Sequence, residues 1–121
     1  MQGNNQHTEL LLEDEALRDG LQIESRIFSL DQKIELFNLL SKAGVRRIQV
    51  GSLVNPDIVP QMANSDELIK VLGKQADTVI SALVLNSKGL ERALACGLPH
   101  VSMSVSISDT HSRKNGNRSA A

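Results

Sequence analysis

Four short apolar runs alternate with three stretches of helical periodicity, and a glycine stands at each return from helix to strand. This punctuation constrains the chain more than any other feature. Leu30, Ile34, Phe37 and Leu40 recur at helical spacing, with Lys33, Glu35 and Lys42 between them on what reads as the wet side. Ser29 and Gln32 have the spacing of a capping box in front of that helix, and Gly44 closes it as an αL cap. Residues 45–50 read as the next strand. Pro56 and Pro60 keep 51–60 out of regular helix and central strand. Ser65 caps a second helix carrying Leu68, Ile69 and Leu72, closed by Gly73. Residues 78–85 form a largely apolar third strand. Residues 87–96 form a third helix, with Leu90, Ala93 and Leu94 on one side and Gly97 at its end. Residues 101–107 alternate apolar residues with serines as a fourth strand. At the front, 10–17 reads as the first strand, followed by an Arg18-Asp19-Gly20 turn. The order β-α-β-α-β-α-β predicts an α/β domain with a parallel sheet and right-handed crossovers. It occupies residues 10–107, between a polar arm, 1–9, and a polar tail, 108–121. The Ala43-Gly44-Val45 and Cys96-Gly97-Leu98 segments resemble each other only as shared punctuation.

Composition removes several function classes. Lys+Arg 13 against Asp+Glu 14 gives a net charge of −1, which offers nothing to nucleic acid or an anionic membrane. Phe28 and Phe37 are the only aromatic residues, so there is no base-stacking platform. A single cysteine, Cys96, excludes an internal disulfide and a cysteine-based zinc cluster, and it reads as small core filler. No apolar run approaches the roughly 18 residues that span a bilayer. The polar start lacks the order of a signal peptide, so a cytoplasmic protein is the expectation. The 121 residues fit one small domain or part of a larger one.

In parallel α/β folds, functional groups gather at the C-terminal ends of the strands. Here those ends carry Arg18 and Asp19, then 49–52, then Asn86, then 108–111. A carboxylate there can hold a divalent cation, and a neighbouring guanidinium can stabilise an enolate or phosphate oxyanion. By spacing alone, Arg18-Asp19-Gly20 reads sooner as a surface ion pair or an Asp-Gly turn. Asn86 reads either as a pocket residue or as the cap of the following helix. His111 is a substrate contact or an exposed loop histidine; His7 lies in the polar arm, and His100 opens a strand at the opposite end. Arg113, Lys114 and Arg118 make the tail basic, which reads as a solvated terminus.

Longer motifs favour the functional reading. Arg18-Asp19-Gly20-Leu21-Gln22, Lys33-Ile34-Glu35-Leu36 and Leu40-Ser41-Lys42-Ala43-Gly44 resemble the opening of the hydroxymethylglutaryl-CoA lyase family. Ser52-Leu53-Val54-Asn55-Pro56 with Val59-Pro60-Gln61-Met62-Ala63 resembles its S-F-V-x-P-x-x-V-P-Q-M segment, and Asn86-Ser87-Lys88-Gly89 its N-x-K-G turn. The resemblance extends in register from about Leu10 to Asn115. The wider group comprises metal-dependent TIM-barrel lyases and Claisen-type synthases such as isopropylmalate and homocitrate synthases; Leu21-Gln22 is similar to the lyase branch.

The resemblance implies a (β/α)8 barrel, of which this chain supplies the N-terminal half, with four strands and three helices. It implies cleavage of a 3-hydroxyacyl-CoA with release of acetyl-CoA. Asp19 would ligate Mg²⁺ or Mn²⁺, and Arg18 would be catalytic at the developing enolate. Gln22, Ser52, Asn86 and His111 would contact the acyl-CoA substrate. Two positions depart from the pattern: Gln49 stands where the lyases carry glutamate, and Glu15-Ala16-Leu17 stands where they carry V-G-P. The family's His-x-His metal ligands and loop cysteine have no counterpart in the 121 residues. The isolated chain is therefore expected to be inactive, completed by a second copy or by a complementary C-terminal half-barrel. The alternatives are part of a Claisen-type synthase or a non-catalytic half-barrel interaction subunit.

Overall fold

Ser29 Oγ accepts the Gln32 N–H at 3.1 Å, and Gln32 Oε1 accepts the Ser29 N–H at 2.9 Å. This reciprocal cap starts helix α1, Leu30–Lys42, as the sequence predicts. The structure is a computed structural model that describes residues 10–104. Its other elements are β1 (Glu13–Asp14), a π-helical turn (Ala16–Gly20), β2 (Arg47–Ser52), a 3₁₀ turn (Pro60–Met62), α2 (Ser65–Leu72), β3 (Val79–Val84), α3 (Ser87–Ala95) and β4 (His100–Met103). Gly44 and Gly97, at φ 93° and 72°, turn the chain out of α1 and α3 in the left-handed region that side chains disfavour.

All strand pairs are parallel, in the order β1-β2-β3-β4. Sequential order with right-handed crossovers puts all three helices on one side of the sheet. Strand alternation points Ile48, Val50, Ile80, Ala82 and Val84 to that side. They form one buried core with Leu17, Phe37, Leu53, Leu68, Ile69, Leu72 and Ala93. Each valine, leucine, isoleucine or phenylalanine among them contributes about 1.5–3 kcal/mol when fully buried, and the two alanines less. No helix among the described residues is long and apolar enough to cross a membrane.

The fold class is the expected one, and the element bounds need correction. β1 has two residues rather than the span 10–17, and Leu10 is 85% exposed. The strand stops because Asp14 Oδ1 accepts the Ala16 N–H at 2.8 Å. The N–H groups of Arg18 and Gly20 then both donate to the Glu15 carbonyl. Arg18 and Asp19 therefore ride on a π-helical turn, not on a reverse turn.

β2 begins later than expected and keeps Gly51 and Ser52. A register shift between Gln49 and Gly51 accommodates them. Ser65 does not cap α2. It lies against β2, where its Oγ accepts the Ser52 N–H at 3.2 Å. A Cβ at Gly51 would stand 2.8 Å from the Ser65 Cβ, so glycine permits this approach.

Lys33 is a second reversal. It is 1% exposed and faces inward from α1. In α3 the buried side is Gly89 and Ala93, whereas Leu90 and Leu94 are exposed. The reason is close packing: a Cβ at Gly89 would meet the Leu53 carbonyl oxygen at 2.8 Å, so the larger leucines point outward. The N-terminal arm, the end of the predicted 101–107 strand and the tail with His111 lie outside the described residues.

Candidate functional site

The face of the sheet away from the helices carries charge. Glu13 of β1 stands opposite Arg47 of β2, and Gln49 stands opposite Ser81 of β3. Glu13 Oε2 accepts from Arg47 Nε at 2.7 Å and from Ser81 Oγ at 2.5 Å. Gln49 Nε2 donates to Glu13 Oε1 at 3.3 Å. Burial disfavours charge on Glu13, but the Ser81 hydroxyl, the Arg47 guanidinium and the more distant Arg18 outweigh it, holding Glu13 below the usual carboxylate range.

The π-helical turn delivers Arg18 to the end of this network. Its Nε donates to Gln49 Oε1 at 2.6 Å, and its Nη2 meets Glu15 Oε1 at 2.8 Å. Its Nη1 meets Asp19 Oδ1 at 3.4 Å. The guanidinium is thus gripped on three sides while its neighbour Asp19 keeps a side chain that is 68% exposed. Fixed cation and available carboxylate sit side by side at the strand end.

Asp19 is a hard oxygen donor, the type that Mg²⁺ and Mn²⁺ take. The donor type fits and the donor number is incomplete: among the described residues no group of three or more His, Cys, Asp or Glu side chains could hold a metal. Asp19 can supply one ligand of such a shell.

The other sequence candidates occupy different surroundings. Ser52 is fully buried at the end of β2, and its Oγ has no hydrogen-bond partner. Gln22, just past the π-helical turn, likewise has a buried, unpartnered Oε1. These are the two buried side-chain polar atoms left unpaired among the described residues. An orphan of this kind costs about 1–3 kcal/mol, so both mark places where a polar ligand would be favoured. Asn86 Oδ1 accepts the Gly89 N–H at 2.9 Å, so this oxygen is engaged in capping α3. His111, with Arg113, Lys114 and Arg118, falls outside the described residues. A shallow concavity along α1, lined by Asp31, Glu35 and Asn38, contains none of these side chains.

Sequence reading missed the residues that brace the site. Lys33 Nζ donates to the Gln61 carbonyl at 2.8 Å and to Asn64 Oδ1 at 2.5 Å. Gln61 Nε2 in turn donates to the Glu24 carbonyl at 2.8 Å. The loops after β1 and β2 are therefore tied together through α1. Burial pushes the Lys33 ammonium down to about 8. Arg92 pairs through Nε with Asp66 Oδ2 at 3.1 Å and donates through Nη1 to the Val54 carbonyl at 2.8 Å. The available signal for this face was Arg47 and Gln49, which alternate with Ile48 and Val50 along β2; the acidic Glu13–Asp14 pair of β1 gave no such alternation.

Comparison with known proteins places this geometry. The chain is 39% identical over 118 residues to the (R)-citramalyl-CoA lyase of Chloroflexus aurantiacus, covering 89% of this chain and 37% of that protein. It is 36% identical over 104 residues to a hydroxymethylglutaryl-CoA lyase of Bacillus subtilis, covering 86% and 35%. The chain therefore spans about a third of the length of these relatives. It superimposes, with a TM-score of 0.84 and 33% identity, on an HMG-CoA lyase from Acinetobacter baumannii in complex with coenzyme A and 3-methylmalate, covering 91% of this chain and 36% of that one. The parallel sheet with its helices thus matches part of a TIM barrel. The model of one family, HMGL-like, matches residues 9–121, and with these relatives it establishes that the chain belongs to the HMGL-like family.

Proposed function

We propose that this chain contributes the Arg18–Asp19 side of a divalent-metal-dependent carbon–carbon lyase acting on a 3-hydroxyacyl-CoA. The observation that carries this reading is the immobilised Arg18 guanidinium beside the exposed Asp19 carboxylate at the end of β1. Loss of the hydroxyl proton to a general base lets the carbon–carbon bond break: the hydroxyl-bearing carbon becomes a carbonyl, and the electron pair leaves as the enolate of acetyl-CoA, which then takes up a proton. Arg18 presents a fixed cation to that oxygen, and a fixed cation needs no reorganisation as charge develops. Asp19 would hold Mg²⁺ or Mn²⁺, which when bound supplies a Lewis acid at the hydroxyl and carboxylate end of the substrate. The unpaired Ser52 Oγ and Gln22 Oε1 would take polar groups of the acyl portion.

Membership of the HMGL-like family and the coenzyme A complex of the structural relative support an acyl-CoA substrate. The remaining metal ligands would come from a complementary C-terminal half-barrel, and the chain alone would be inactive. The test is to mix the full chain with the C-terminal part of a family lyase and measure acetyl-CoA release from hydroxymethylglutaryl-CoA and citramalyl-CoA. Release only in the mixture, falling about 10²–10³-fold with Arg18→Gln, is expected. A mixture that cleaves equally well with Arg18→Gln contradicts the proposal.

A further inference from the structure

Arg18 is held by three acceptors of unequal quality. Glu15 and Asp19 reach its outer nitrogens, and their side chains are 40% and 68% exposed. The inner nitrogen, Nε, meets Gln49, which is 2% exposed. Water can replace the first two contacts and cannot readily replace the third. The orientation of the guanidinium is therefore set from inside the sheet.

Gln49 is a two-ended group, and only one of its amide orientations works here. Arginine has donors and no acceptor, so the amide oxygen must face Arg18. The amide nitrogen then points toward β1 and requires an acceptor. Glu13 Oε1 is that acceptor, at 3.3 Å. The other Glu13 oxygen is pinned by Arg47 on β2 and by Ser81 on β3. Donor and acceptor roles thus run without conflict from β3 through β1 and β2 to Arg18. We infer that Glu13 is a positioning residue for Arg18, acting through the Gln49 amide. The carboxylate it supplies sits one residue further from Arg18 than a glutamate at position 49 would. Gln49 is the neutral spacer between them.

This inference rests on the lyase reading only for what Arg18 does; the coupling itself exists without substrate. With Glu13→Gln the amide oxygen stays on the Arg47 and Ser81 donors, because arginine cannot accept from an N–H₂ group; the amide nitrogen then faces that of Gln49, or forces Gln49 to flip its N–H₂ group toward Arg18. Moving the carboxylate instead, with Glu13→Gln and Gln49→Glu together, restores a consistent order. The carboxylate now at position 49 would accept from Arg18 and from the amide now at position 13. The oxygen of that amide would accept from Arg47 and Ser81.

The experiment follows the Arg18 Nε–H by ¹H–¹⁵N NMR in the full chain, measuring its chemical shift and its exchange with water. Glu13→Gln is expected to speed that exchange about tenfold or more, as befits loss of an ordered bond to a charged group. The double exchange is expected to bring it back to near the original rate. If Glu13→Gln does not fold, recovery of the fold in the double variant is the expected result. An Arg18 Nε–H that ignores Glu13→Gln overturns the inference. So does a double variant no better than the single one. Acyl-CoA cleavage enters none of these readouts, so failure of the lyase proposal and failure of this coupling are separately visible.

Discussion

The two faces of the one sheet are built on opposite principles. Toward the helices, Ile48, Val50, Ile80, Ala82 and Val84 meet Phe37, Leu68 and Ala93 in a core where what counts is area and fit. On the other face, Glu13, Arg47, Gln49 and Ser81 meet through bonds whose direction matters. Barrel interiors are usually filled by Val, Ile and Leu. Here the inner layer of these strands is given to a charged network ending on Arg18. The lesson is a division of labour: the apolar face holds the strands at their spacing, and the polar face aims one cation.

The sharpest way to separate the two is to damage the apolar face alone. Phe37→Ala is expected to lower stability in urea denaturation by about 3–5 kcal/mol. The polar bonds should survive in whatever fraction remains folded. Next in size is Gly89→Ala, whose new Cβ would meet the Leu53 carbonyl oxygen at 2.8 Å. A loss of about 1–3 kcal/mol is expected, read by thermal unfolding.

Acid should act on the other face. Glu13 has a folded pKa below its unfolded value, so its contribution is present above about 4.5 and is lost as pH falls through the folded value. Replacing it by Gln should flatten that part of the acid limb in a pH series of denaturation curves. Phe37→Ala should leave the shape of the limb unchanged.

Lys33 on α1, tied to the loop after β2, behaves in the reverse sense. Its folded pKa of about 8 lies below the ordinary lysine value of 10.5, so its burial costs stability below 8. That cost fades as pH rises toward 10.5. The wild-type chain should gain on Lys33→Met across this interval, a difference read from paired denaturation curves.

Local signals are legible in the sequence and long-range ones are not. The Ser29–Gln32 cap and the glycines after α1 and α3 depend on neighbours within a turn, so their residues announce them. Lys33 reads as solvated because its acceptors, Gln61 and Asn64, come from a loop 28 and 31 residues away. Ser65 reads as a cap because nothing local signals that Gly51 leaves room for it. The short β1 follows from one side-chain contact, Asp14 to the Ala16 N–H, that periodicity cannot register. At the candidate site, the motif singles out Arg18 and Asp19. The role of Gln49 as an acceptor for Arg18 emerges only once Glu13 and Ser81, 68 residues apart, are seen to share a bond.

The central claim is that Arg18 and Asp19 form one side of a metal-dependent lyase centre. Its most direct test is a Mn²⁺ titration of acetyl-CoA release by the full chain assembled with a family C-terminal half, comparing wild type with Asp19→Asn. The account predicts that the Mn²⁺ needed for half-maximal release rises by about tenfold or more when the Asp19 charge is removed. An unchanged Mn²⁺ dependence with full activity would contradict it.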